Sequence, residues 1–253
     1  MNNIVVSCIA FVCIFGGVLL TLLVSQWLPS HHLNQDTKDV VRLGAGLIGT
    51  MAALVLGLLI ASAKSSFDTQ SAQVRQMTAG IILLVYHLAQ YGPETRAARG
   101  LVRSHVGALA DRIWHEGDVD LLKNEHFAWS AAAQQFYLEL QGLSPQTEVQ
   151  RFLQSQSIRI LTELGRTRLL LFEQANTSIP MPFLVVLIFW LTIIFASFSL
   201  FVQPNAIIVG SLLVFGLSIV SAIFLIQELS HPFGGLMQIS SLLLRNALLP
   251  LGP

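Results

Sequence analysis

The side chains best equipped for chemistry in this chain are seven histidines, His31, His32, His87, His105, His115, His126 and His231, and two cysteines, Cys8 and Cys13. A metal site needs three or four such ligands brought together, with carboxylates or thiolates among them. Only the His31-His32 pair, with Asp36 and Asp39 nearby, has that character, and adjacent histidines on a loop more often simply face water. His115-Glu116 lacks the second histidine of a zincin motif. Asp111 and His115, four apart on a helix, can pair as a structural contact. Cys8 and Cys13 point about 140° away from one another on a helix, so they cannot join and read as small apolar side chains. The chain has no G-x-S-x-G elbow, phosphate loop or dinucleotide glycine fingerprint. It is expected to be no enzyme and to hold no cofactor or metal.

The elements that carry these residues are set by four runs without Asp, Glu, Lys or Arg: Ile4–Leu28, Leu43–Ala63, Phe183–Val202 and Ala206–Ile226. Each is about the 20 residues that a helix needs to cross a bilayer. The chain therefore reads as all-α, an integral membrane protein with four transmembrane helices arranged two and two. The first hairpin takes residues 1–63, a helical cytoplasmic segment 64–180, the second hairpin 181–227 and an amphipathic cytoplasmic tail 228–253. Charge follows the same division, since 11 of 14 basic and 11 of 14 acidic residues lie within 64–180. A net charge of zero, with no clustered basic excess, argues against a nucleic-acid binder. The first run has no basic flank and no small-x-small cleavage pattern, so it reads as a retained anchor with Trp27 at the interface.

Near the span ends, Lys64, Arg75, Arg166, Arg168 and Arg245 stand on one side, against Lys38 and Arg42 on the other. That excess places both termini and residues 64–180 in the cytoplasm, in a cell (inner) membrane. Asn176-Thr177-Ser178, a match to a glycosylation acceptor, abuts a membrane end on that side and is discounted.

Within the charged segment, Val74, Met77, Ile81, Leu84, Leu88 and Tyr91 recur at three- and four-residue steps, a coiled-coil-like seam. No breaker separates them from the second run, so one helix is expected from about Asp36 to Tyr91. Gly92-Pro93-Glu94 stops it and starts a helix to about His115; Gly117-Asp118 opens another, ending at Gly142. Ser144-Pro145 is expected to cap a fourth helix that ends at Asn176-Thr177-Ser178. Its stripe is Val149, Leu153, Ile160, Leu164 and Leu171, and Arg159, Glu163 and Arg166 make a charged ladder. This helix and the seam are expected to pack antiparallel.

The sharper signals lie in the spans. Ala45, Gly49, Ala53, Gly57 and Ala61 recur every fourth residue, a candidate pore or helix-packing face with almost no side-chain bulk. Ser211, Ser218 and Ser221 on the fourth run either back-bond to helix carbonyls, the better fit, or line a pathway. Glu228, Pro232, Phe233 and Gly235 form a tail motif that turns sharply into a last helix. That helix puts Leu236, Ile239, Leu243 and Ala247 on one face and Gln238, Ser241 and Arg245 on another.

These residues carry a resemblance. Val41 through Ile48, Met51 through Lys64, Ala89-Gln90-Tyr91-Gly92-Pro93-Glu94 and the tail motif resemble a family of bacterial bestrophin-like membrane proteins across essentially the whole chain. The chain departs from it at Val85-Tyr86, where relatives often carry an acidic–basic pair. The resemblance implies a bacterial inner-membrane protein with four spans and, more distantly, an oligomeric anion channel. The function expected is that of a non-enzymatic homo-oligomer in the lipid bilayer, a passive channel for a small inorganic ion. The competing expectation is a membrane-anchored scaffold or sensor whose helical cytoplasmic segment binds a partner.

Overall fold

The computed structural model describes residues 3–25, 27, 35–115, 133–175, 181–201 and 205–240. Every regular element among them is helical: α1 (Asn3–Ser25), α2 (Gln35–Tyr91), a 3₁₀ turn (Pro93–Thr95), α3 (Arg96–His115), α4 (133–141), α5 (Glu148–Ala175), α6 (Met181–Leu200) and α7 (Ala206–Leu229). The chain divides into two compact units, Met1–Ser65 with Ser178–Ser230, and Ser66–Thr177 with His231–Pro253. Four helices, α1, α2, α6 and α7, are long and apolar enough to cross a membrane.

In the first unit α1 packs on α6 and α7. It buries one line at four-residue steps, Val6, Ala10, Ile14, Val18 and Leu22, while Val12, Leu20 and Leu23 point outward. The helices of this unit thus carry apolar side chains on both faces, and the outward ones, such as Leu54 at 75% exposure, suit hydrocarbon rather than water. Close approach of α1 and α6 depends on Gly17, where an added Cβ would come within 2.7 Å of the Thr192 methyl. The first apolar helix ends at Ser25, three residues before the expected Leu28; Trp27 sits exposed in the turn that follows, its N–H on the Val24 carbonyl at 3.0 Å.

The second unit is built on the seam. Val74, Met77, Ile81, Leu84, Leu88 and Tyr91 are all buried. Ile81, Leu84, Val85 and Leu88 join Ala98, Val102 and Val106 of α3 and Phe136 and Leu140 of α4 in one core, with Ile158, Ile160, Leu161 and Leu164 of α5 packed against it. Gly80 lies against Leu164, and Gln150 donates from Nε2 to the Tyr91 carbonyl at 3.1 Å. As numbers rise along α2 they fall along α5, so the two helices are antiparallel, as their apolar spacing implies.

Two expectations for α5 need correction. The cap is Thr147, not Ser144-Pro145: its Oγ1 accepts the Gln150 N–H at 3.1 Å, while the Gln150 side chain accepts the Gln146 N–H at 2.8 Å. This is close to a capping box, shifted three residues along the chain. Val149 is 67% exposed and belongs to no core stripe. The buried line runs through Leu153, Ser157 and Thr167, whose two hydroxyls bond back to the carbonyls of Leu153 and Glu163. A hydroxyl satisfied within its own helix can be buried where an apolar pattern alone foresees only leucine and isoleucine. Arg159, Glu163 and Arg166 do stand on the exposed face.

Candidate functional site

The bare ridge does not form a single face. Successive steps of four residues turn about 40° past a full turn, so five such positions wind part of the way round the helix. Ala45 is buried and Gly49 half-buried, whereas Ala53, Gly57 and Ala61 are exposed. The inward line of this part of α2 is Ala45, Ala52, Leu59 and Ala63 instead. At Gly44, Gly46, Gly49 and Gly57 an added Cβ would meet nothing within 4 Å. The fold of the single chain therefore makes no use of their missing side chains.

The three serines of α7 settle as back-bonds. Ser211, Ser218 and Ser221 each donate to the carbonyl four residues earlier, at 2.9, 2.9 and 2.8 Å. With their hydrogen satisfied in this way, they leave the helix surface nearly apolar.

At the far end of α7, Glu228 is only 4% exposed. It accepts a hydrogen bond from Asn3 Nδ2 at 3.1 Å, which joins the start of α1 to the end of α7. A buried carboxylate requires such donors. Asn3 escaped the sequence reading, and an amide 225 residues from its partner carries no local signal.

The rest of the tail motif is a turn and not the start of a helix. From His231 to Ser240 no helix forms: Gly234 N–H reaches the His231 carbonyl at 3.2 Å, and Ile239 N–H closes back on the Pro232 carbonyl at 2.9 Å. Gly235 holds φ at 84°, a conformation that favours glycine over residues with a Cβ, which accounts for its place in the motif. The loop buries Pro232 and Ile239 and leaves Leu236 outside, so these apolar residues do not share a face. Leu243, Arg245 and Ala247 lie outside the described residues.

In the Tyr91-Gly92-Pro93-Glu94 corner, Gly92 takes φ 136°, and an added Cβ would run into the Glu94 carboxylate. Thr95 then locks the corner, its Oγ1 meeting the carbonyls of Leu88 at 2.5 Å and Gly92 at 2.9 Å. Val85 is part of the core, and Tyr86 is exposed. Burial pushes the Tyr91 phenol above its usual 10.0, and the negative charge of Glu94 adds to this.

His31, His32, His126, the side chains of Asp111 and His115, and Asn176-Thr177-Ser178 lie outside the described residues. Among the described residues no group of three His, Cys, Asp or Glu is placed to hold a metal ion. Cys8 and Cys13 are both exposed and unpaired.

None of the curated proteins compared with the chain matches it in sequence. In structure it is similar to a bacterial bestrophin homolog from Klebsiella pneumoniae, seen in crystals of several mutated forms. One is 15% identical with a TM-score of 0.67, covering 96% of this chain and 97% of that one. Another is 14% identical with a TM-score of 0.68, covering 99% and 98%. The two share a fold from end to end. A family model described as the bestrophin-like domain matches residues 12–242, and the chain belongs to the bestrophin-like family.

Proposed function

We propose that this membrane protein is a homo-oligomeric passive ion channel of bestrophin type, whose subunits gather with the bare side of α2 toward the pathway. It works in the cell inner membrane with both termini and residues 64–180 in the cytoplasm, and the ion that the family resemblance favours is an anion. The observation that carries this reading is the open surface at Gly57 and its neighbours. Ala53, Gly57 and Ala61 are exposed, and on the same side of the helix space for a Cβ is free at Gly46, Gly49 and Gly57. In lipid, a face with so little bulk favours close approach to another helix or a narrow conduit. No Asp, Glu, Lys or Arg lies between Leu43 and Ala63, which suits passive flow better than coupled transport.

Gly57→Leu tests it. Since nothing stands within 4 Å of the new Cβ, the protomer itself should fold normally. Purified protein in planar bilayers is expected to conduct, and the Gly57→Leu variant to conduct several-fold less. A folded oligomer that is silent in bilayers would overturn the channel. It would favour the anchored scaffold instead, a reading that the exposed Ile82, Leu83, Tyr86, Phe152 and Leu170 of the cytoplasmic helices support.

A further inference from the structure

Three glutamines of the second unit have amide oxygens that are shielded from water and accept no hydrogen bond: Gln70 and Gln73 on α2, and Gln174 on α5. Gln70 is 3% exposed, and its Nε2 donates to Ser66 Oγ at 3.3 Å, which leaves its Oε1 as the unused atom. The antiparallel register brings the three to one level. Gly80 lies against Leu164, so ten residues back along α2 and ten forward along α5 lead to Gln70 and Gln174, about 15 Å farther along both helices. Gln73 is three residues from Gln70, on the same face. A buried acceptor without a donor is destabilising, and three of one kind at one level call for a common partner.

We propose that Gln70, Gln73 and Gln174 form a binding site for a dehydrated monovalent cation of the sodium or potassium kind, held between α2 and α5. Amide carbonyls are ligands of hard cations, and uncharged carbonyl oxygens can replace the hydration shell of an alkali ion. The set has no formal charge, which favours a single positive charge over a divalent ion that would demand carboxylates. Asp68 and Glu173, the acids closest in sequence, are exposed. The site is separate from the α2 ridge, so its failure would leave the channel reading intact, and the reverse holds too.

The test is thermal unfolding of the full-length protein in detergent, in potassium, sodium or choline chloride at equal concentration. The midpoint is expected to be about 5 °C higher in one alkali salt than in choline. Gln174→Leu should abolish the difference, while Gln76→Leu, an exposed position on α2, should keep it. Equal midpoints in all three salts, as for water-filled amides, or a difference that survives Gln174→Leu, would overturn the site. If Gln174→Leu does not fold, crystals of the unaltered protein soaked in thallium(I) decide: an anomalous peak between the three amide oxygens supports the site, and none there refutes it.

Discussion

Tyr91 shows how much one atom can reveal. Its ring completes the seam, but its hydroxyl is buried with no partner, and the phenol ionises above its usual 10.0 because of burial first and Glu94 second. The folded form holds this proton more tightly than the unfolded chain does. Stability is therefore at its full value below pH 10.0 and falls as pH rises from there through the folded value. Tyr91→Phe is expected to remove that loss, and near neutral pH to leave stability unchanged or raise it by up to about 1 kcal/mol, since an unsatisfied group goes and the ring stays. Urea titrations in detergent on both sides of pH 10 would show it. The sequence made Tyr91 legible as a seam residue through its spacing. It gave no hint of Gln150, Gln154 or Asn3, whose amides close hydrogen bonds to Tyr91, Leu140 with Leu143, and Glu228. Such pairings depend on which helix ends meet in space, and nothing in the neighbouring residues records that.

For the elements, periodicity was a good guide to what is buried and a poor one to where a helix begins or whether it forms. The apolar runs and the seam are helical, but Thr147 displaced the expected cap, and the tail loops back because Gly235 takes φ 84° and Ile239 bonds to Pro232. Glycine too needs its surroundings to be understood. Gly16 and Gly17 are adjacent in α1, yet a Cβ at Gly16 meets nothing, and one at Gly17 meets the Thr192 methyl. Thr192 has little room to yield, being β-branched and tied through Oγ1 to the Ile188 carbonyl at 2.8 Å. Gly17→Ala is expected to lower stability by about 1–3 kcal/mol from overpacking. Gly16→Ala should be neutral or stabilising by up to about 1 kcal/mol. Parallel melting curves of the two variants would check the contrast.

On the scale of the molecule, the sorting of charge announces the membrane before any element is assigned, because few physical settings tolerate so much outward apolar surface. The use of the ridge was less legible. Spacing marks Ala45 to Ala61 as bare, whereas the winding that buries Ala45 and exposes Gly57 follows only from helix geometry and from what packs on it. If the free side of α2 meets other subunits, replacing Gly46 and Gly49 together by alanine should stabilise the isolated helix, by roughly 1 kcal/mol per site at most, and weaken assembly. Light scattering on the chromatographed protein should then show a smaller particle. An unchanged particle with unchanged conductance would mean that this side serves neither purpose.

The bond from Gln150 to Tyr91 spans 59 residues, and it has a consequence for how the chain is made. A ribosome adding about 5–20 residues per second would take about 3–12 s to travel that distance. Throughout that interval Val74 to Tyr91 has left the ribosome, while α5, which packs along one side of it, has yet to emerge. Residues of α3 and α4 can reach part of the line as they are made, but the side that α5 covers stays open to any passing surface, and the last carbonyls of α2 have no donor from α5. The hazardous moment in the synthesis of this protein is thus a pause built into its order of elements, and slowing translation between Tyr91 and Gln150 would lengthen it.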